Sequence, residues 1–389
     1  MENDEVLSKK DNINKWDDLN LKEQVLRGIY AYGFEIPSDI QKKTILPIIQ
    51  KKDLIGQAQS GSGKTGAFSI SALERVDHTK LNTQVLILSP THELVKQTAH
   101  VVGRLGQYMQ GLNVKTLVGG TPVKEDIQSL RANTPQIVVG TIGRIMDMVQ
   151  KKHLRLGTLE LLIIDEADEM LSQGCHEKIK YMFEFYISKV AQIVLFSATV
   201  PPDIIHLSKQ FMKQPETILM KREELSLKCI PQYFIPIADD SLKFETLKDI
   251  FTRIRSSKVI IYCNSVKRVE DLCNMMKENN FSVSYIHSNM RKDERTKVFQ
   301  NFRDGDVRVL ISSDVTARGI DIQQVSLVIN YDITRNLHTY LHRIGRSGRW
   351  GRKGMAINLI TKYDVYDMKK IENYYKVSIE QLPIDNIIL

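Results

Sequence analysis

The sequence predicts an α/β protein of two tandem domains, each a parallel sheet flanked by helices, joined by a short linker. Short apolar runs alternate with longer amphipathic stretches, which is the rhythm of parallel strands joined by crossover helices. Polar and glycine-containing clusters follow nearly every run. With 389 residues, 42% of them hydrophobic, the chain has apolar material for two cores of ordinary size.

In the first half the predicted strands are Val85-Leu86-Ile87-Leu88, Ile137-Val138-Val139, Leu161-Leu162-Ile163-Ile164 and Ile193-Val194-Leu195-Phe196, with a further apolar run at Asp53-Leu54-Ile55. The second half repeats the rhythm with Val259-Ile260-Ile261-Tyr262, Val309-Leu310-Ile311, Leu327-Val328-Ile329 and Ala356-Ile357-Asn358-Leu359. Between them the charged segment Lys221-Arg222-Glu223-Glu224, ending near Pro231, reads as a linker. This gives a short N-terminal tail at 1–15, a first domain at 16–220, a linker at 221–231 and a second domain at 232–389. Ligands of open parallel sheets bind at the carboxyl ends of the strands. Each half is therefore expected to carry its chemistry on one edge, and two such edges facing each other would make an interdomain cleft.

Composition narrows the partners only slightly. A net charge of +8 suits a polyanion, but it is spread along the chain, and a lysine- and isoleucine-rich chain also follows from biased genome composition. The four cysteines form no C-x-x-C pair and have no histidine at zinc-ligand spacing, so they read as reduced, mostly packed thiols. Met1-Glu2-Asn3-Asp4 does not open a signal peptide, and no apolar run approaches the ~18 residues that span a bilayer. A soluble intracellular protein with no membrane partner is expected. Met275-Met276 and the tyrosines Tyr363, Tyr366, Tyr374 and Tyr375 lie in amphipathic stretches and read as core packing.

The chemistry is concentrated in three places. Ala58-Gln59-Ser60-Gly61-Ser62-Gly63-Lys64-Thr65 fits the phosphate-cradling loop G-x-x-x-x-G-K-[ST], with Ala58 where the first glycine usually stands. Its small residues let backbone N–H groups close around phosphates, Lys64 supplies a point charge, and the Thr65 hydroxyl suits magnesium. The competing reading is a flexible glycine-serine turn, disfavoured by the apolar run before it and the helix-compatible stretch after it. Four apolar residues running into Asp165-Glu166 suit a site where the first carboxylate holds magnesium and the second orients or deprotonates water. A solvated acidic strand end is the alternative. In His342-Arg343-Ile344-Gly345-Arg346-Ser347-Gly348-Arg349, Arg346 and Arg349 are three apart and would share a helical face as arginine fingers, or else form a basic surface turn.

These motifs together resemble the DEAD-box RNA helicase family. Gly33-Phe34-x-x-Pro37-x-x-Ile40-Gln41 resembles its adenine-reading Q motif with Trp16 upstream, Asp165-Glu166-Ala167-Asp168 the eponymous box, and Ser197-Ala198-Thr199 its coupling element. Asp314, Arg318, Gly319 and Asp321 match D-x-x-A-R-G-x-D. The matches run in family order from Trp16 to Ile360. The resemblance implies two RecA-like domains and an RNA-dependent ATPase using ATP and Mg2+. It implies that Phe34 stacks on the base, Gln41 bonds its edge, Asp321 holds ribose hydroxyls, and Asp168, Ser197, Thr199 and His342 couple nucleotide state to RNA. RNA contacts are implied for Pro90, Thr91, His92, Gly119, Gly120, Thr141, Arg144, Arg295, Ser313, Arg318 and Gly319. Such backbone and small polar groups bind phosphate and sugar of single-stranded RNA without reading sequence.

Leu26-Arg27-Gly28-Ile29-Tyr30-Ala31-Tyr32-Gly33-Phe34 and Gln324-Val325-Ser326-Leu327-Val328-Ile329-Asn330-Tyr331-Asp332 look most like the family's translation initiation factor 4A branch. That implies a monomeric core working with scaffold and cofactor proteins such as initiation factors, mostly in the cytoplasm. The nuclear exon-junction and ribosome-biogenesis branches share most of these strings, so a nuclear helicase and an ATP-locked RNA clamp stay open, with DNA translocation disfavoured. Three departures bear on RNA. His92 replaces arginine, and an imidazole of ordinary pKa near ~6.5 is largely neutral, so one phosphate contact is expected to be weaker or pH-dependent. Ile142 replaces a proline and is expected to loosen the turn that aims Arg144. Ser288-Asn289 and Lys292 stand where the nearest branch has Gly-Asp and Gln, beside Arg295.

Overall fold

The computed structural model describes residues 13–58, 61–171, 175–200, 202–219, 230–253, 258–314, 325–347 and 354–382. The chain divides into two compact units, Met1–Met220 and Lys221–Leu389. Each is built on a seven-stranded sheet whose pairings are all parallel.

The first sheet contains β1 (Leu54–Gln57), β2 (Val85–Leu88), β3 (Val114–Leu117), β4 (Ile137–Gly140), β5 (Leu161–Ile164), β6 (Gln192–Ser197) and β7 (Glu216–Leu219). The second contains β8 (Gln232–Pro236), β9 (Val259–Tyr262), β10 (Val283–Ile286), β11 (Val309–Ser312), β12 (Leu327–Asn330), β13 (Met355–Ile360) and β14 (Glu380–Gln381). The orders are β3-β4-β2-β5-β6-β1-β7 and β10-β11-β9-β12-β13-β8-β14, which are the same permutation. Two units thus repeat one topology, although only the first carries the phosphate-loop sequence.

The central strands are mostly apolar, β2 and β5 at every position, because both sheet faces are covered, and the pleat sorts alternate residues into two cores. In the first unit Val85, Ile87, Ile137, Val139, Leu161 and Ile163 pack on one face. Leu86, Leu88, Val138, Leu162 and Ile164 pack on the other. In the second unit Val259 and Ile261 are parted from Ile260 and Tyr262 in the same way. Among the described residues no helix is long and apolar enough to cross a membrane.

The structure adds strands absent from the sequence reading: β3, β7, β8, β10 and β14. Four of these are the sheet edges, and β8 lies beside the two-residue β14. Edge strands face solvent and lose the continuous apolar signal, as the partly exposed Val114-Lys115-Thr116 of β3 and the alternating β7 show. The tyrosine reading is also corrected. Tyr375 is buried, but Tyr366 and Tyr374 are exposed, because the helix Val365–Tyr375 turns only one face inward, and Tyr363, which precedes that helix, is exposed as well. Met276 is buried, and the described cysteines Cys175, Cys263 and Cys273 are free thiols.

One close approach in the first unit bears on the site. The helix Glu23–Ala31, which leads to Phe34, crosses the helix His92–Leu105 at Gly28. A Cβ on Gly28 would stand 1.8 Å from the Leu105 carbonyl oxygen, so only glycine allows the helices to meet. Gly28→Ala is expected to cost the first unit about 1–3 kcal/mol, as overpacking of a close contact does. A urea midpoint unchanged from wild type would show that the helices have room to part.

Candidate nucleotide site and nucleic-acid face

Strand order lays out the first unit's carboxyl edge. The loops after β3, β4 and β2 carry Gly119 and Gly120, Thr141, and Pro90, Thr91 and His92 in adjacent positions. Those after β5, β6 and β1 carry Asp165–Asp168, Ser197–Thr199 and the phosphate loop. Residues expected to bind RNA therefore occupy one half of the edge and those expected to bind nucleotide the other. β2 and β5 meet at the boundary.

The phosphate loop leaves β1 at buried Ala58, whose N–H donates to the Ser197 carbonyl at 3.0 Å, and enters the helix Lys64–Arg75. Gln59 and Ser60 lie outside the described residues; Gly61, Ser62, Gly63 and Thr65 are partly exposed. Gly63 has φ +101°, and a Cβ there would meet Ser38 Oγ at 2.6 Å and Gln41 Nε2 at 3.0 Å. Gln41 is tied to the loop. Its Oε1 accepts the Ser38 N–H at 2.7 Å, and its Nε2 donates to the Gly63 carbonyl at 3.2 Å. Phe34 is half-buried; its ring lies 6.1 Å from buried Trp16 in stacked geometry and meets Tyr32 edge-on at 4.8 Å. A Cβ on Gly66 would touch both Gln41 and Phe34, so this pair rests directly on the first turn of the phosphate-loop helix.

Lys64, Asp165, Glu166 and Asp168 are all buried. Lys64 Nζ lies 3.6 Å from Glu166 Oε1, yet neither Lys64 Nζ nor Glu166 Oε2 has a hydrogen-bond partner among the described residues. Asp165 Oδ1 accepts the Glu166 N–H at 3.0 Å, and Glu166 takes the left-handed φ of +49°. Burial, reinforced by the Glu166 charge, pushes the Asp165 carboxyl up to about 7. Unpartnered buried charges beside a helix N-terminus and a small-residue loop fit a polyphosphate with a divalent cation. Thr65 and Asp165 are the residues suited to hold the cation, and Lys64 the phosphates. Asp168 faces the next strand instead. Its Oδ2 accepts the Thr199 hydroxyl at 2.7 Å, and its N–H donates to Ser197 Oγ at 3.2 Å.

On the other half, Thr91 caps the helix His92–Leu105, its hydroxyl accepting the Leu94 N–H at 3.3 Å. Thr141 precedes the helix Ile142–Gln150 and donates its N–H to the Leu117 carbonyl at 3.0 Å. Arg144 is buried rather than presented, ion-paired to Asp126 and donating to the Thr121 carbonyl at 2.7 Å. The expected loosening by Ile142 is not what the structure shows. Ile142 is buried in the apolar core beside Ile145 and Met146, and Arg144 is held from both ends of its fork.

In the second unit Ser313 and Asp314 follow β11, Arg295 is half-buried on the helix Lys292–Asp304, and His342 lies on the helix Leu337–Ile344. That helix ends before Gly345, and Arg346 occupies the following turn with Nε donating to the His342 carbonyl at 3.3 Å. Arg346 therefore lies beyond that helix, and the face it was expected to share with Arg349 falls partly outside the described residues. Arg318, Gly319, Asp321 and Arg349 lie outside the described residues. Sequence reasoning passed over Arg343. Fully buried, it donates to Asp314 Oδ1 at 2.6 Å, Asn264 Oδ1 at 2.8 Å, the Asp332 carbonyl at 2.7 Å and Asn330 Oδ1 at 3.3 Å. The available signal was its place three residues after Tyr340, on the buried face of an amphipathic helix.

The Asp165 environment sets a pH expectation for the nucleotide-free chain. Its folded-state pKa stands above that of an unfolded chain, so stability present at low pH is lost as pH rises through about 7. Asp165→Asn is expected to raise the melting temperature at pH 8, with a gain that shrinks toward pH 5. A gain independent of pH would show that the carboxyl is not the strained group.

Comparison with known proteins agrees with this geometry. The DEAD/DEAH box helicase model matches residues 38–207 and the helicase conserved C-terminal domain model residues 242–351. The ATP-dependent RNA helicase eIF4A of Lodderomyces elongisporus is 46% identical over 98% of this chain and 95% of its own length. The protein of that name from Candida albicans is also 46% identical, over 96% and 93%. Among solved structures, S. cerevisiae Dbp5 bound to RNA and ADP BeF3 superimposes with TM-score 0.86 at 31% identity, covering 96% of both chains. Mss116p bound to ssRNA and AMP-PNP gives 0.84 at 25% identity, covering 96% of this chain and 80% of that one. With a relative this similar along almost its whole length, the chain belongs to the DEAD/DEAH box helicase family.

Proposed function

We propose that the chain is an ATP-dependent RNA helicase that binds single-stranded RNA without reading sequence and unwinds short duplexes locally, in translation initiation. The observation that carries this reading is the division of one sheet edge into a phosphate-holding half and a half of small polar and backbone groups. The Asp168–Ser197–Thr199 hydrogen bonds join the nucleotide-side strands β5 and β6. The initiation role rests on similarity to proteins named eIF4A, and with it come scaffold initiation factors as partners, a monomeric core and a cytoplasmic place of action.

In this reading Phe34 and Gln41 receive the base, and the loop from Ala58 to Thr65 cradles the phosphates. Bound Mg2+, held by Thr65 and Asp165, would draw charge from the phosphate oxygens. Lys64 offers its ammonium, which makes an ion pair but no hydrogen bond, to the outer phosphates, exchanging Glu166 for them. Glu166, released from that pair, orients and deprotonates the attacking water. Asp321 holds the ribose, and Arg346 and Arg349 supply positive charge to the transferred group. Pro90, Thr91, His92, Gly120, Thr141, Arg295, Ser313, Arg318 and Gly319 serve the RNA backbone, while Asp168, Ser197, Thr199 and His342 relay nucleotide state to it.

Steady-state ATP hydrolysis with no nucleic acid, single-stranded RNA or single-stranded DNA of equal length tests the reading. RNA alone is expected to stimulate turnover. Equal stimulation by DNA would sink RNA specificity, and ATP binding without stimulation would favour a clamp over a helicase. Lys64→Ala is expected to abolish hydrolysis. Arg346→Ala should lower kcat by about 10³-fold or more with nucleotide affinity near wild type; wild-type turnover in that variant would remove Arg346 from the chemistry.

A further inference from the structure

Arg144 belongs to a buried cluster that faces the Gly119-Gly120-Thr121 loop from below. Its Nη1 donates to Thr121 Oγ1 at 3.1 Å and pairs with Asp126, and its Nη2 donates to the Thr121 carbonyl at 2.7 Å. The other Asp126 oxygen lies 3.4 Å from Lys115 Nζ on β3. Thr121 in turn donates its hydroxyl to the Val118 carbonyl at 2.9 Å. Arg144 and Asp126 are more than nine-tenths buried. One carboxylate, two cations and one threonine therefore tie the helices Val123–Ala132 and Ile142–Gln150 to the loop that follows β3. The loop is also seated against the neighbouring expected RNA contact, since a Cβ on Gly119 would lie 3.5 Å from His92 Nε2.

We propose that Arg144 is a positioning residue rather than a phosphate ligand, and that the Lys115–Asp126–Arg144–Thr121 cluster holds the Gly119-Gly120 backbone in the conformation that receives RNA. The physical case is geometric. A buried guanidinium that already gives three of its five N–H donors to a carboxylate, a hydroxyl and a carbonyl is not presented to a phosphate in solvent. Moving it would also leave Asp126 buried with only the more distant Lys115, which is costly for a desolvated charge. The loop it grips offers the backbone groups that suit phosphate without reading sequence. The proposal rests on the RNA-binding reading above and assigns Asp126, which that reading does not use.

Asp126→Asn separates the two roles by sign. If Asp126 merely restrained a phosphate-binding arginine, removing its charge would free a cation and tighten RNA binding. If the cluster positions the loop, the same change loosens the loop and weakens binding. Affinity for labelled single-stranded RNA is measured by fluorescence anisotropy at several KCl concentrations, with a non-hydrolysable ATP analogue present. Asp126→Asn and Arg144→Gln are each expected to bind about tenfold more weakly, the scale of one charge-assisted hydrogen bond. The slope of log K against log salt should stay at its wild-type value, because no phosphate contact has been removed. Equal or tighter binding by Asp126→Asn overturns the proposal. So does a slope in Arg144→Gln reduced by the ~0.7 that one lost phosphate contact gives on a single strand. Thr121→Val keeps the ion pair and deletes only the loop hydroxyl. It is expected to weaken RNA binding at unchanged slope, and wild-type affinity there overturns the proposal even if the charge variants fold poorly. Fluorescent ADP affinity, read in parallel, checks that the first unit is folded. A wild-type chain that ignores RNA in this assay defeats the RNA reading itself, and the clamp with it.

Discussion

The buried charges at the ends of β1 and β5 set the terms for the rest of the first unit. Asp165, Glu166 and Asp168 are all out of water, and the Lys64 ammonium, at 3.6 Å from Glu166, is their near cation. Removing carboxylates from water is expensive unless a counter-charge and hydrogen bonds replace the lost hydration. Asp165 shows the shortfall as a carboxyl pushed up to about 7, and Lys64 Nζ and Glu166 Oε2 show it as unpartnered atoms. In the proposed reading, a divalent cation arriving with the nucleotide would supply the positive charge this cluster lacks, so that binding would also relieve its electrostatic strain.

Parallel pairing is what sets this cluster on the same edge as the polar loops. Every strand of the sheet ends on the same edge, so six successive loops form one continuous row whose order is the strand order. β5 and β6, carrying Asp168 and the Ser197–Thr199 turn, lie between the phosphate loop on β1 and the polar loops on β2, β4 and β3. Asp168 stands three residues or fewer from Asp165 and Glu166 along the chain, and two hydrogen bonds tie it to the end of β6.

Arginine serves as a structural clamp in both units. Arg343 draws together the loops after β9, β11 and β12, and Arg144 joins two helices to the loop after β3. The planar five-donor fork is suited to this because it satisfies several acceptors at fixed angles and cannot be discharged by burial. Both arginines stand in short motifs beside residues expected to touch ligand, but only Arg144 was itself expected to do so.

The sequence by itself determined the α/β class, the two-unit division, the central strands and the phosphate and acidic motifs. Each of these rests on local chemistry: apolar runs buried on both faces, small residues before Lys64, and carboxylates at a strand end. It did not determine the edge strands β3, β7, β10 and β14, because solvent on one side erases the apolar signal on which the reading depends. Nor did it determine the end of the helix at Ile344, which leaves Arg346 in the turn that follows. The assignments of Arg144 and Arg343 were decided only in three dimensions. Whether an arginine faces solvent or a carboxylate depends on partners such as Asp126 and Asp314, distant in sequence and brought close by strand order.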